Sequence, residues 1–153
     1  MNELVRELRI NDIVNALMAA FKAGNKDYIS STAELLHEEF TYTVSESTEL
    51  TGDALRRAST LHALYCLSLG MLRLLSNEAF TINPTELLRI AIDSGDISSL
   101  TQSLVVASAL LIKGDVSWVE EFNELVQGVG NELFRGILSS FLEVVRAVRV
   151  VSP

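Results

Sequence analysis

The sequence predicts an all-α protein, a compact bundle of six or seven helices forming a single helical domain over residues 1–153. Three observations carry that reading. Apolar residues recur at helical spacing in segment after segment, most cleanly as Phe134, Ile137, Leu138, Phe141, Val145 and Val148. The junctions Ala23-Gly24-Asn25, Ser94-Gly95-Asp96 and Lys113-Gly114-Asp115 each place a helix stop directly before a helix start. Finally, 153 residues that are 48% hydrophobic, with two prolines and one cysteine, can bury a real core. The lone cysteine excludes an intrachain disulfide framework and a Cys-only zinc site.

The first helix is expected from Asn2 to Ala23, with Leu4, Leu8, Val14, Leu17, Met18 and Phe21 near a 3.6-residue period and a kink at Asn11-Asp12. Gly24 ends it in the left-handed conformation that glycine tolerates best. A second helix follows from about Lys26 to Phe40. Residues 40–44, Phe-Thr-Tyr-Thr-Val, then alternate apolar and polar side chains and are rich in strand formers. They are expected to pair with Phe80-Thr81-Ile82 as a minor two-stranded ribbon beside the helices.

A long third helix is expected from Asp53 to Leu75, apolar on nearly every face from Leu61 onward and therefore surrounded by other elements. Asn83-Pro84-Thr85-Glu86 reads as a capped start with proline at the first helical position and a capping box. The next helix spans about Ser98 to Lys113, apolar all round between Leu104 and Ile112. Ser117-Trp118-Val119-Glu120 reads as another capping box, opening a helix to Gln127. Gly128-Val129-Gly130 breaks the run, and Asn131 caps a last helix whose C-terminal Arg146 and Arg149 suit the helix dipole. The match between Gly95-Asp-Ile-Ser98 and Gly114-Asp-Val-Ser117 is ordinary stop-and-start chemistry rather than a solenoid repeat.

Charge excludes some functions. Twelve basic residues against twenty acidic ones leave a net charge of −8, with no basic stripe of the sort a nucleic-acid binder needs to neutralise phosphates. The excess is local: between Lys26 and Asp53 one lysine faces Asp27, Glu34, Glu38, Glu39, Glu46, Glu49 and Asp53. Glu3, Arg6, Glu7 and Arg9 interrupt the first residues, unlike a secretory signal. The apolar stretches Leu61–Leu75 and Leu104–Ile112 fall short of the ~20 apolar residues of a membrane span. A cytoplasmic protein without membrane contact is the expectation.

No residue set announces catalysis. Glu34-Leu-Leu-His37 has the spacing of half a di-iron ligand set, but the residue three before the only other histidine, His62, is Ser59. His62 and Cys66 share a helix face and fit core packing better than a thiolate–imidazole pair. Gly128-x-Gly130 lacks the strand and third glycine of a phosphate loop. No catalytic residue, cofactor-binding residue, cofactor or metal site is therefore expected.

What remains is apolar excess and an acidic surface. Two helices apolar all round are more than a domain of this length is expected to enclose, which predicts a face shared with another chain. The expected function is a non-enzymatic protein–protein interaction module, a small self-associating helical subunit that binds itself or another protein. Phe134, Ile137, Phe141, Val145 and Val148 would form the oligomer interface, and Glu34, Glu38, Glu39, Glu46, Glu49, Arg56 and Arg57 the polar contacts to a partner. An inhibitor or immunity-type protein covering the basic cleft of a nuclease is the alternative. A small subunit of an RNA-guided nucleoprotein complex is a further one, and it requires Arg56, Arg57, Arg146 and Arg149 to gather on one face.

Overall fold

A computed structural model describes residues 1–151. It contains eight helices among those residues: α1 Asn2–Arg6, α2 Ile10–Lys22, α3 Lys26–Glu46, α4 Gly52–Leu75, α5 Pro84–Ser94, α6 Ile97–Ile112, α7 Val119–Gln127 and α8 Glu132–Val151. The all-α class is as the sequence predicts, with one helix more than expected.

Local chemistry sets most boundaries. The Asn25, Asn83, Asp96 and Asn131 side chains accept from the backbone N–H groups of Tyr28, Thr85, Ser98 and Phe134, satisfying orphan donors at the starts of α3, α5, α6 and α8. Four helices end in the same six-to-one bond: Arg9 N–H to the Leu4 carbonyl (3.1 Å), Asn25 to Ala20 (2.8 Å), Glu78 to Arg73 (3.1 Å) and Asp115 to Leu110 (2.9 Å). That bond needs a left-handed residue just before the donor. Gly24 and Gly114 supply it without strain, whereas Leu8 and Asn77 adopt φ of 55° and 60° with side chains attached.

Leu8 corrects the first expectation. The chain breaks between α1 and α2 at Glu7–Arg9, while Asn11 and Asp12 sit inside α2. Leu8 packs against the core, so tertiary burial holds a conformation that its own backbone disfavours.

The ribbon is not formed. Residues 40–44 continue α3, because Phe40, Thr43 and Val44 satisfy a helical spacing as well as an alternating one. Thr43 is buried with its hydroxyl donating to the Glu39 carbonyl at 2.7 Å, which removes its polar cost inside a helix. Residues 80–82 are a loop with Ile82 in solvent. The capping box at Ser117 is not formed either. Asp115 takes both the Ser117 N–H (3.1 Å) and its hydroxyl (2.7 Å), so α7 starts only at Val119. Glu86 likewise pairs with Arg89 at 2.6 Å.

Helix α4 is the hub, packing against α3, α6, α8 and α2, and one continuous core reaches from Val5 in α1 to Val148 in α8. Leu61, Ala63, Leu64, Cys66, Leu67 and Met71 are all buried, as is every residue of α6 from Ser103 to Ala109. Both uniformly apolar helices are thus enclosed by this chain alone. α4 is long and apolar enough to cross a membrane by composition, but 67% of its most apolar window is buried inside the fold.

Two close approaches make that enclosure possible. At Gly70 a Cβ would stand 2.9 Å from both the Ser108 Cβ and the Val105 carbonyl oxygen, so α4 and α6 touch nearly backbone to backbone. At Gly136 a Cβ would stand 2.5 Å from the Ser59 Oγ, so α8 closes on α4 around that hydroxyl. Thr60 and Ser140 meet beside it, with 3.3 Å between their hydroxyl oxygens.

Candidate functional site

The five residues expected at an oligomer interface are internal. Phe134, Ile137, Phe141, Val145 and Val148 all face the core, with Phe141 against Phe122 at 6.1 Å between ring centroids. A side chain already enclosed by its own chain has no apolar area left to give a partner. The large hydrophobic residues that do stand in solvent are Tyr42, Ile82, Ile90, Val116 and Val150, spread over several elements.

Most of the acidic residues, by contrast, lie in solvent. Glu34, Glu38, Glu46 and Glu49 are exposed and form no ion pair among the described residues. At 100° per residue Asp27, Glu34 and Glu38 form one ridge of α3, flanked by Tyr42, whose 62% exposure leaves the ring available. Glu39 is different. It is half-buried and takes Arg57 at 3.4 Å, and the same guanidinium donates to the Arg6 carbonyl at 2.9 Å. Arg57 and Glu39 thus tie α4 to α3 and to the end of α1. Arg56, one residue earlier, turns to the opposite side and borders α8, so Arg56, Arg57, Arg146 and Arg149 do not gather on one face.

Both histidines lie at the α3–α4 contact. His37 stacks on Tyr65 with centroids 4.9 Å apart, and His62 packs against Phe40 at 4.8 Å. The His62 Nε2 lies 2.9 Å from the Thr101 hydroxyl, whose proton goes to the Ile97 carbonyl at 2.9 Å. His62 therefore donates from Nε2, and its bare Nδ1 is buried without a partner. Burial, reinforced by the neighbouring His37 charge, lowers the His62 pKa to about 4, so the ring is neutral across the physiological range. Cys66 is fully buried and its thiol is pushed far up by desolvation. It is not a nucleophile in the folded chain. No group of three metal-ligating side chains assembles among the described residues, around Glu34 and His37 or elsewhere.

A groove between the first turns of α4 and α8 is the feature that residue spacing did not reveal. Two adjoining open cavities of about 480 and 400 Å³ share Gly52, Leu55, Gly136 and Ser139 as lining. Arg135 and Glu132 border one, Arg56 and Glu143 the other. Ser59 lies at the floor, 1% exposed, its Oγ without a hydrogen-bond partner among the described residues. The signal that was available is Gly136 itself. A glycine inside a good helix costs about 1 kcal/mol relative to alanine, so it marks a place where something comes close. Comparison with known protein families, with curated proteins and with solved structures finds no match for this chain.

Proposed function

We propose that this protein is a non-enzymatic binding module whose recognition surface is the acidic ridge of α3, and that its partner presents a basic protein surface. The observation that carries the reading is the isolation of those carboxylates. Glu34 and Glu38 stand in solvent without a counter-ion among the described residues, beside an exposed Tyr42, on a helix that is otherwise tied down by its inner face. Unpaired like charges gathered on one ridge raise the local potential and speed encounter with a cationic surface. The aromatic ring adds the kind of residue that anchors such contacts once water is displaced.

Binding of a lysine- and arginine-rich helical peptide, followed by calorimetry at about 0.1 M salt, tests this. Glu34→Lys with Glu38→Lys is expected to weaken binding at least tenfold. Glu120→Lys with Glu124→Lys on α7 changes the net charge equally and is expected to cost much less. Equal losses would show that net charge alone governs binding and would overturn the reading.

A further inference from the structure

We propose that the arginine-bearing face of α8, with the α4–α8 groove at its start, is the docking site for the acidic α3 ridge of a second copy of this chain. The inference rests on the reading of α3 as a recognition surface and supplies its counterpart within the same sequence. Arg135, Arg146 and Arg149 recur at helical spacing along the exposed side of α8, and Arg135 and Arg56 border adjoining parts of the groove at its start. None of these four arginines forms an ion pair among the described residues. Arg135 and Arg146 stay unpaired although Glu132 and Glu143 precede them by three residues, the spacing at which Arg89 takes Glu86 at 2.6 Å.

The two faces match in length as well as in sign. Asp27 and Glu38 are separated by the same eleven residues as Arg135 and Arg146, about 16 Å of helix in each case. Each face also carries one exposed large hydrophobic residue, Tyr42 beside Glu38 and Val150 at 81% exposure beside Arg149. The groove offers hydrogen-bonding capacity at its floor, where the Ser59 hydroxyl is unpartnered. Glu132 and Glu143 border the groove, so the site discriminates by register and does not accept every anion equally.

One molecule cannot close this contact on itself. The α4 residues Arg57 and Tyr65 turn toward α3, whereas Leu55, Ser59 and Thr60 turn toward α8, so the two faces flank opposite sides of the hub. The contact between copies is head to tail, and such an arrangement adds further copies in an open chain unless it closes into a ring. A net charge of −8 opposes approach at long range, but at 0.1 M salt that repulsion is screened beyond about 10 Å while the local complementarity acts at contact.

Sedimentation equilibrium from micromolar to about 1 mM protein tests the proposal, since contacts built from surface ion pairs populate in that range. The mean mass is expected to climb steadily at 0.1 M salt and to fall to the monomer at 1 M, where the screening length is about 3 Å. Arg135→Glu with Arg146→Glu, and separately Glu34→Lys with Glu38→Lys, should each weaken association at least tenfold. Mixing the two variants should restore it, because each then offers the face the other has lost; circular dichroism checks that both remain folded. A wild-type chain that stays monomeric throughout, a dimer that resists 1 M salt, or a mixture that fails to associate overturns the proposal. The first of these, together with intact and Glu34-dependent peptide binding, leaves the α3 reading standing. Loss of Glu34 dependence in the peptide assay removes the α3 reading itself.

Discussion

The two halves of α4 solve the same problem differently. From Leu61 to Met71 the helix is mostly buried, and at Gly70 its backbone meets the Val105 carbonyl and the Ser108 Cβ of α6 directly. From Gly52 to Thr60 it is half open, and at Gly136 the approach of α8 is limited by a hydroxyl group. Both crossings use a glycine, yet only one uses it to bring two backbones together. Ser108, the α6 residue at the closed crossing, satisfies its hydroxyl on the Leu104 carbonyl at 2.7 Å, whereas Ser59 at the open one has no partner. A buried hydroxyl left unbonded costs stability, and such costs collect where a surface is kept for something other than folding.

The largest expected effect tests how dry the enclosed half is. His62 is neutral in the folded chain, with a pKa of about 4 against 6.5 for the free side chain. Above pH 6.5 neither state takes the proton and this part of the stability is intact. As the pH falls from 6.5 toward 4 the unfolded chain is protonated first, and about 3 kcal/mol is lost. Urea unfolding at pH 7 and pH 4, compared with His62→Leu, isolates the effect from the carboxylates. Wild-type and variant curves that fall in parallel would mean that His62 is not held neutral.

Next in size is Gly70→Ala. A methyl group there must displace the Val105 carbonyl and the Ser108 Cβ, so a loss of roughly 1–3 kcal/mol is expected even after alanine's better helix propensity is counted. The same change at Gly136 meets only the end of the Ser59 side chain, which can rotate, and should come out within about 1 kcal/mol of wild type. Equal losses in thermal unfolding would erase the distinction between the two crossings. The smallest effect has the opposite sign. Ser59→Ala removes an unbonded buried hydroxyl and is expected to raise stability by about 1 kcal/mol. A loss instead would show that the hydroxyl is satisfied in solution.

These contrasts also mark what sequence reasoning could reach. The Asn25, Asn83, Asp96 and Asn131 caps and the Phe134–Val148 stripe are local chemistry, and each appears where spacing places it. The strand reading of 40–44 failed because its residues satisfy two periodicities at once, and packing of Phe40 and Thr43 against the rest of the molecule decided between them. The break at Leu8 failed for a related reason, since nothing local favours a left-handed leucine. Apolar excess was misread as an interface because the two backbone approaches that let this chain wrap α4 and α6 depend on partners 38 and 77 residues away along the chain, Ser108 for Gly70 and Ser59 for Gly136. The exposed Glu34 and Glu38, by contrast, were legible because charge has few places to go but outward.

The enclosure of α4 gives the protein one more property. Its only thiol, Cys66, sits at the centre of the hub helix with no exposure and a pKa driven far above that of a free cysteine. An oxidant or alkylating reagent does not reach it in the closed fold. The sulfur becomes reactive only when the helices packed on α4 open far enough to uncover it, so the rate at which it is modified reports opening of the core.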